Sequence, residues 1–223
     1  MICRVEYHGT MPYAEATRLQ RERVLDRQAR AIPDTLILVE HPPVYTLGRN
    51  AKTEHLLAPR EWLAKMGAEV FETDRGGDVT FHGPGQLVGY PILDLTGHRR
   101  DIAWYMRSIE EVLIGAVSDF SISAGRIAGV TGVWVGQEKL AALGVHVSRW
   151  VTSHGFALNV STDLRYFSWI VPCGLRDKGV TSLEKLLSRR MEINDVTSRV
   201  VEWFGRVFHF EIEERATCRR EIA

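Results

Sequence analysis

The chain predicts an α+β fold, a mixed and largely antiparallel sheet with helices packed on it. Three observations predict this. Strand-like and helix-like segments do not alternate regularly along the chain. Several apolar β-type runs are separated by only two to five residues, as hairpin connections require. Two long stretches, 101–120 and 195–208, carry apolar residues at helical spacing. A doubly wound parallel sheet needs a crossover after each strand, and the order of elements does not supply one.

Residues 2–7 read as a first strand. Thr10-Met11-Pro12 opens a helix that runs to about Arg30, with Thr10 as N-cap, proline in the first turn, and Arg and Glu on the outer face. Thr35–Glu40 is a short buried-type strand, and His41-Pro42-Pro43 stops it because proline cannot donate to a ladder. Pro59–Met66 reads as a short helix and Ala68–Thr73 as a strand. Residues 75–95 interleave glycines with β-formers, which predicts strand, tight loop, strand. The helix at 101–120 has its stripe in Ile102, Tyr105, Ile109, Val112, Ala116 and Phe120. Short strands follow at 132–135, 140–147 and 152–160. Gly179 reads as a turn, and Thr181 or Ser182 as the cap of a helix beginning near Leu183. Asp195–Phe208 is the second amphipathic helix and 208–213 a last strand. No repeat or linker interrupts the chain, so one domain over 1–223 is expected, with a small C-terminal subregion possible from about 180.

Composition narrows the function. Lys+Arg and Asp+Glu number 28 each, so the formal net charge is zero and no global field recruits nucleic acid or an anionic membrane. No run of about 18 apolar residues is present, and the start lacks the apolar run of a signal peptide. Cys3, Cys173 and Cys218 lie far apart without a CxxC, which argues against a disulfide scaffold or a structural zinc site and suits a reducing compartment. The cytoplasm is therefore the expected location, and a monomer the expected state. There is no HExxH and no clustered histidine spacing, so no metal is expected. The glycines of 75–95 have neither GxGxxG nor GxxxxGK[ST] spacing, so no nucleotide cofactor is expected.

The chemistry concentrates in Val171-Pro172-Cys173-Gly174-Leu175. Proline and glycine bracket Cys173 and turn the backbone, which aims the thiol out of a packed element. Alone, such a cysteine is more often a small buried hydrophobe. Lys139, 34 positions upstream in Gly136-Gln137-Glu138-Lys139-Leu140, is read on a hairpin turn. A lysine there is ordinarily a solvated charge, but an ammonium beside a thiol favours the thiolate and can move protons. His154, in Ser153–Val160, and His82 are rival bases for a Cys–His arrangement, although a lone histidine beside glycine more often packs or hydrogen-bonds. Arg75, Asp78 and His82 place polar side chains around the glycine-rich loop, whose backbone can approach a ligand closely or serve only as a bulged hairpin. Cys3 and Cys218 are read as incidental, and the basic tail Arg215–Arg220 as a solvated end.

Together, Arg75–Pro91, Gly132-Val-Trp-Val135, Lys139–Gly144, His154–Val160, Pro172-Cys-Gly174 and Gly179–Leu183 resemble the lipoyl(octanoyl) transferases, within the biotin/lipoate protein ligase superfamily. The resemblance implies a biotin/lipoate protein ligase-like fold. It implies that Cys173 accepts an octanoyl thioester and that Lys139 lowers the thiol's pKa. Carried across position by position, the acyl-binding residues would be Arg75, Gly76, Gly77, Asp78, Val79, Thr80, Phe81 and His82, then Ala142, Leu143 and Gly144, then Gly155, Phe156 and Ala157, with His154 supporting. The donor implied is octanoyl-acyl carrier protein. The acceptors implied are lipoyl domains of 2-oxoacid dehydrogenase E2 subunits and the glycine-cleavage H protein. Three other readings stay open: an ATP-dependent lipoate or biotin ligase, a Cys–His thioester hydrolase, and a non-catalytic module that binds acyl carriers or lipoyl domains.

Overall fold

The computed structural model describes residues 1–171 and 178–216. In chain order the elements are β1 (Ile2–Thr10), α1 (Tyr13–Gln28), β2 (Asp34–Glu40), β3 (Val44–Leu47), α2 (Arg60–Lys65), β4 (Glu69–Glu72), β5 (Val79–His82), β6 (Gln86–Ile92) and α3 (Ile102–Ser118). There follow β7 (Gly125–Ile127), β8 (Val130–Val135), β9 (Glu138–Ser148), β10 (Val151–Asn159), β11 (Gly179–Val180), α4 (Leu183–Leu187), α5 (Ile193–Phe208) and β12 (Glu211–Ala216). Short 3-10 turns lie at Thr53–His55, Leu95–Gly97 and Leu164–Trp169.

The main sheet has the order β12-β1-β2-β6-β10-β9-β8-β7, with β11 added beside β9. From β2 to β7 along that order every neighbour is antiparallel, whereas β1 runs parallel to both β2 and β12. This is the mixed, largely antiparallel α+β sheet that the sequence predicts. A second small sheet, β4-β3-β5, holds the first strand of the glycine-rich segment, whose second strand, β6, lies in the main sheet.

The central strands are buried on both faces, and their period of two sorts the side chains. In β2, Leu36 and Leu38 enter the core with residues of α3 and α5, while Ile37 and Val39 enter the core with Ala16 of α1. In β6, Leu87 joins the first of these and Val88, Tyr90 and Ile92 the second. Val112, Leu113 and Ala116 of α3 meet Val200 and Phe204 of α5 in the larger core, as the helical stripes require. A third cluster fills the small sheet with Tyr45, Leu63, Val79, Phe81 and Ile170.

Three local expectations are corrected. Thr10 is not an N-cap: β1 continues to Thr10, which pairs with Glu40, and Met11 N donates to the Glu40 carbonyl at 2.9 Å. Pro12 therefore stands at the N-cap with extended backbone (ψ 141), and its carbonyl accepts from Glu15 N and Ala16 N at 3.1 Å each. Gly179 is not a turn but the first residue of β11, paired with Glu138. The last strand begins at Glu211, because the helix keeps Phe208 and His209 turns the chain in the left-handed region (φ 56). Ser182 is the cap of α4, its hydroxyl accepting from Lys185 N, and Asp101 caps α3.

Candidate active site

The loop before β5 is tied down rather than free. The Arg75 guanidinium is buried, and its Nε and Nη2 donate to the Thr46 hydroxyl at 3.2 and 2.9 Å. Nη2 also reaches the Thr46 carbonyl at 2.5 Å, and Nη1 the Gly76 carbonyl at 3.1 Å. Gly76 N donates to the Val145 carbonyl at 2.9 Å, which docks the loop on β9. This approach requires glycine at 144, since a Cβ there would stand 2.8 Å from the Gly76 oxygen. Gly155, its cross-strand partner, is equally constrained, with an added Cβ only 2.3 Å from the Gly89 oxygen. Asp78 accepts from Val79 N at 2.7 Å and pairs with His55 Nδ1 at 2.5 Å. The His55 carbonyl in turn accepts from Val171 N at 2.8 Å.

One cavity gathers most of the expected acyl-binding residues. Arg75, Gly77, Asp78, Val79, Thr80 and His82 line it from the loop and β5; Ala142, Leu143 and Gly144 from β9; His154, Gly155, Phe156 and Ala157 from β10. Counted out to its open mouth, it holds about 490 Å³ of empty space. Phe81 is not in the lining: it packs in the small-sheet core, where it stacks on Tyr166 at 4.5 Å. Gly76 contributes its backbone to the loop and is not in the lining. Tyr13, Val88 and Tyr90 complete the lining, none of them singled out by sequence reasoning.

Lys139 is not on a turn. It is the second residue of β9, the turn falling at Gly136-Gln137, and it is only 6% exposed. It sits in a row across three strands, with Trp134 of β8 on one side and Val180 of β11 on the other. Its Nζ lies 4.9 Å from the centre of the Trp134 ring, a cation–π contact that is strengthened by removal from water. The Trp134 indole N–H is buried with no hydrogen-bond partner among the described residues. Cys173 and its neighbours Pro172 and Gly174 lie outside the described residues, as does Cys218. Cys3 is in the core, where burial pushes its thiol well up, away from nucleophilic use.

Residues 12–205 match the family model described as the lipoyl protein ligase A/B catalytic domain. The chain belongs to that family. Within it the chain is an enzyme of the octanoyltransferase class. It is 52% identical over 94% of its length to the octanoyltransferase of Solibacter usitatus, covering 94% of that protein. It is 53% identical over 89% of its length to the octanoyltransferase of Rubrobacter xylanophilus, covering 90% of that one. The fold is shared with a bipartite lipoate protein ligase from Thermoplasma acidophilum, solved in a study with its E2 lipoyl domain, at TM-score 0.75 and 16% identity over 98% of this chain and 88% of that one. It is shared also with the biotin protein ligase of Aquifex aeolicus in complex with biotin and ATP, at TM-score 0.58 and 11% identity over 94% of this chain and 71% of that one. At those identities the solved structures speak for the fold alone.

In this octanoyltransferase-class chain a buried hydrogen-bond line connects the cavity to Lys139. Asn159 Nδ2 donates to the Thr181 carbonyl at 3.0 Å, and Thr181 N donates to the Lys139 carbonyl at 3.0 Å. Gln86 Nε2 donates to Asn159 Oδ1 at 2.8 Å and to the Phe81 carbonyl at 3.2 Å. Because both carbonyls only accept, the two amides can point one way only, and Gln86 Oε1 is left to accept from His82 Nδ1–H at 2.8 Å. Burial pushes His82 down to about 3, so the ring is neutral and its Nε2 accepts from the Thr46 hydroxyl at 3.3 Å. That hydroxyl oxygen also receives Arg75. His82 is thereby committed at both nitrogens.

The neighbouring histidines are committed in the same way. His41 donates from Nδ1 to the Met11 carbonyl at 2.7 Å and accepts from the Tyr90 hydroxyl at 2.7 Å, and burial brings it down to about 4. Tyr13 is pushed up to about 12, mainly by burial. His154 donates from Nε2 to Asp74 at 2.8 Å, and burial lowers its pKa against the opposing pull of that carboxylate. Its cross-strand partner, Val145, lies six positions along β9 from Lys139, about 20 Å at strand spacing. His154, which lines the cavity, and Lys139, which does not, are therefore well separated along the sheet.

The sequence signal for the missed residues was weak but present. Gln86 and Asn159 are amides inside apolar strand patterns, and a buried amide must find partners. Tyr13, His41 and Tyr90 carry no local signal, since they meet from α1, the end of β2 and β6. Among the described residues no helix is long and apolar enough to cross a membrane, and no group of three or more His, Cys, Asp or Glu is placed to hold a metal ion.

Proposed function

We propose that the protein moves an octanoyl group from octanoyl-acyl carrier protein to a lysine of a lipoyl domain, through a thioester on Cys173. Arg75, Gly77–His82, Ala142–Gly144 and Gly155–Ala157 hold the acyl chain, and the apolar cavity stabilises each buried methylene by about 0.8 kcal/mol. The observation that carries this reading is the position of Lys139. It is a buried ammonium on a rigid strand, held over Trp134, three residues before the cavity wall that begins at Ala142. A cation held there favours a thiolate on a nearby cysteine.

In the first half-reaction the Cys173 thiolate attacks the thioester carbonyl. The new C–S bond forms, the carrier's C–S bond breaks, and the departing carrier thiolate takes a proton from Lys139. In the second, the acceptor ε-amine attacks the Cys173 thioester, a C–N bond forms, the C–S bond breaks, and neutral Lys139 takes up the proton the amine sheds. Thioester exchange is nearly isoenergetic and amide formation runs downhill, so no nucleotide is consumed. The developing oxyanion needs donors. Gly76 N–H is already used by Val145, which leaves Gly77 and the Leu143–Gly144 segment as candidates. The Cys–His alternative is disfavoured because both nitrogens of His82 are committed and His154 Nε2 is held by Asp74. We infer further that residues 1–223 act as one catalytic unit, a monomer in the cytoplasm, with E2 lipoyl domains and the glycine-cleavage H protein as acceptors.

The test incubates the protein with octanoyl-acyl carrier protein and an apo lipoyl domain, without ATP, and weighs the products. Octanoylated lipoyl domain is expected. A requirement for ATP with pyrophosphate release, or free octanoate without acceptor, overturns the reading.

A further inference from the structure

The hairpin that carries Lys139 is irregular at one place. Val135 opposes Glu138 and Trp134 opposes Lys139, but Val133 opposes Ala141, so Leu140 is an extra residue on β9. This is a β-bulge, and it changes which face of the sheet the following side chains occupy. The packing agrees. Leu140 and Ala141 are consecutive, yet both lie in the large core. Val133 lies there and Val135 packs against it, whereas Trp134 between them, although buried, is not among its residues. Lys139 opposes Trp134 and shares its face. Had the ladder run on evenly from the Val133–Ala141 pair, Lys139 would oppose Val135 and aim its ammonium at the core. With the bulge it stands on the face of Ala142 and Gly144, both of which line the cavity.

Gly132 makes room for this arrangement. It precedes Trp134 by two positions and so lies on the same face. Its φ is 132, a backbone that favours glycine. A Cβ added there would stand 2.9 Å from the Ala141 carbonyl oxygen and 3.3 Å from both Lys139 Cε and Trp134 Nε1. The lysine stem and the indole thus fill the space that a side chain at 132 would take. The Gly132 backbone is held from the helix side. Its N–H donates to Glu110 Oε1 of α3 at 3.1 Å, and Glu110 Oε2 accepts from Arg126 Nε at 2.9 Å. Burying a carboxylate is unfavourable unless it is paired and hydrogen-bonded, and Glu110 is only 6% exposed. This buried group commits one oxygen to the backbone of Gly132.

We propose that Gly132, tethered by Glu110, is the seat of Lys139. Both are positioning residues, and with the bulge at Leu140 they hold the ammonium over Trp134. This rests on the proton-transfer role given to Lys139 above.

The test reads the lysine directly. The chain has five lysines, so lysine labelled at Cε gives few signals, and Lys139→Arg assigns the one at 139. Lys139 Nζ lies 4.9 Å from the centre of the Trp134 ring, whose ring current displaces the neighbouring Cε protons upfield. Gly132→Ala is expected to abolish that displacement. It is also expected to lower kcat at least about tenfold with little change in KM for octanoyl-acyl carrier protein, as misplacing a reacting group does. Glu110→Ala is expected to move the same signal in the same direction. Glu110→Gln, which keeps an acceptor for Gly132 N–H, is expected to leave it in place. Residues that only support the fold lower Tm without moving the signal. A Lys139 signal unmoved in folded Gly132→Ala, or moved with wild-type kcat, overturns the proposal. If Gly132→Ala does not fold, the Glu110 pair decides, and a signal that is the same in Glu110→Ala and Glu110→Gln overturns it. Wild-type kcat in Lys139→Ala instead removes the proton-transfer reading on which the proposal rests.

Discussion

The side-chain amide of Asn159 donates to the Thr181 carbonyl at 3.0 Å, and through that bond the acyl cavity is mechanically continuous with Lys139. Thr181 in turn donates to the Lys139 carbonyl, and β11 lies against Glu138 and Lys139. Asn159→Asp puts a carboxylate oxygen against the Thr181 carbonyl and removes the donor. It is expected to cost roughly 1–3 kcal/mol in urea unfolding. Because β11 then loosens from Lys139, kcat is expected to fall more than tenfold while KM for the octanoyl donor changes little. A drop in stability with normal kcat in the folded fraction removes Asn159 from this positioning role.

Trp134 fixes the ammonium of Lys139 by its ring face. Trp134→Phe keeps an aromatic face and Trp134→Leu does not. The leucine variant is expected to raise the pH at which Cys173 reacts with iodoacetamide, in the same direction as Lys139→Ala and less far, with phenylalanine in between. Alkylation profiles for the three variants that superimpose on wild type would show that neither residue sets the state of the thiol.

Acid is expected to destabilise the fold before the carboxylates titrate. His41 and His82 have folded values of about 4 and about 3, below the ordinary 6.5, because burial disfavours their charged forms. A depressed histidine contributes stability that is complete above 6.5 and is lost as pH falls toward its folded value. Each costs about 1.4 kcal/mol per pH unit in that window. Glu6 and Asp74 are held below their ordinary 4.5 and 3.8, so their losses come only under more acid conditions. Tm measured from pH 6.5 to 4.5 is therefore expected to drop steadily, and less steeply in His82→Gln. A flat Tm across that window contradicts the neutral, committed state of these rings.

Gly144 lets the Arg75 loop lie on β9. Gly144→Ala drives a methyl to within 2.8 Å of the Gly76 oxygen and must lift the loop. The Gly76–Val145 hydrogen bond is expected to break, with about 1–3 kcal/mol lost and octanoyl transfer reduced at least tenfold. Full activity in this variant would show that the docked loop is dispensable for acyl binding.

Much of this was readable from the residues. Leu36–Val39 announces a strand buried on both faces, and the stripes of 101–120 and 195–208 yield α3 and α5 with small errors at their ends. Local periodicity sufficed there because each face meets one large core. In the small sheet the patterns of 68–73 and 75–95 announce β4 and β5, but nothing announces β3. Val44–Leu47 is four residues long, follows two prolines, and takes its partners from residues 69–72 and 79–82. Such pairing leaves no local trace. The spacing alone does not separate Lys139 from its turn, because the register of the hairpin depends on Gly136 adopting φ 57. The acyl-cavity residues came from a resemblance in motif. Tyr13, Tyr90 and the His82–Gln86–Asn159 line are products of tertiary assembly, visible beforehand only as polar residues inside apolar strands.

The central claim is that an octanoyl group rests on Cys173 between donor and acceptor. The most direct measurement is the intact mass of the protein after exposure to octanoyl-acyl carrier protein with no acceptor present, followed by peptide mapping and addition of apo lipoyl domain. One octanoyl group on Cys173, absent from Cys173→Ser and discharged onto the lipoyl domain, is the expected result. Transfer at the wild-type rate by Cys173→Ala, or an adduct at any other residue that turns over, contradicts it.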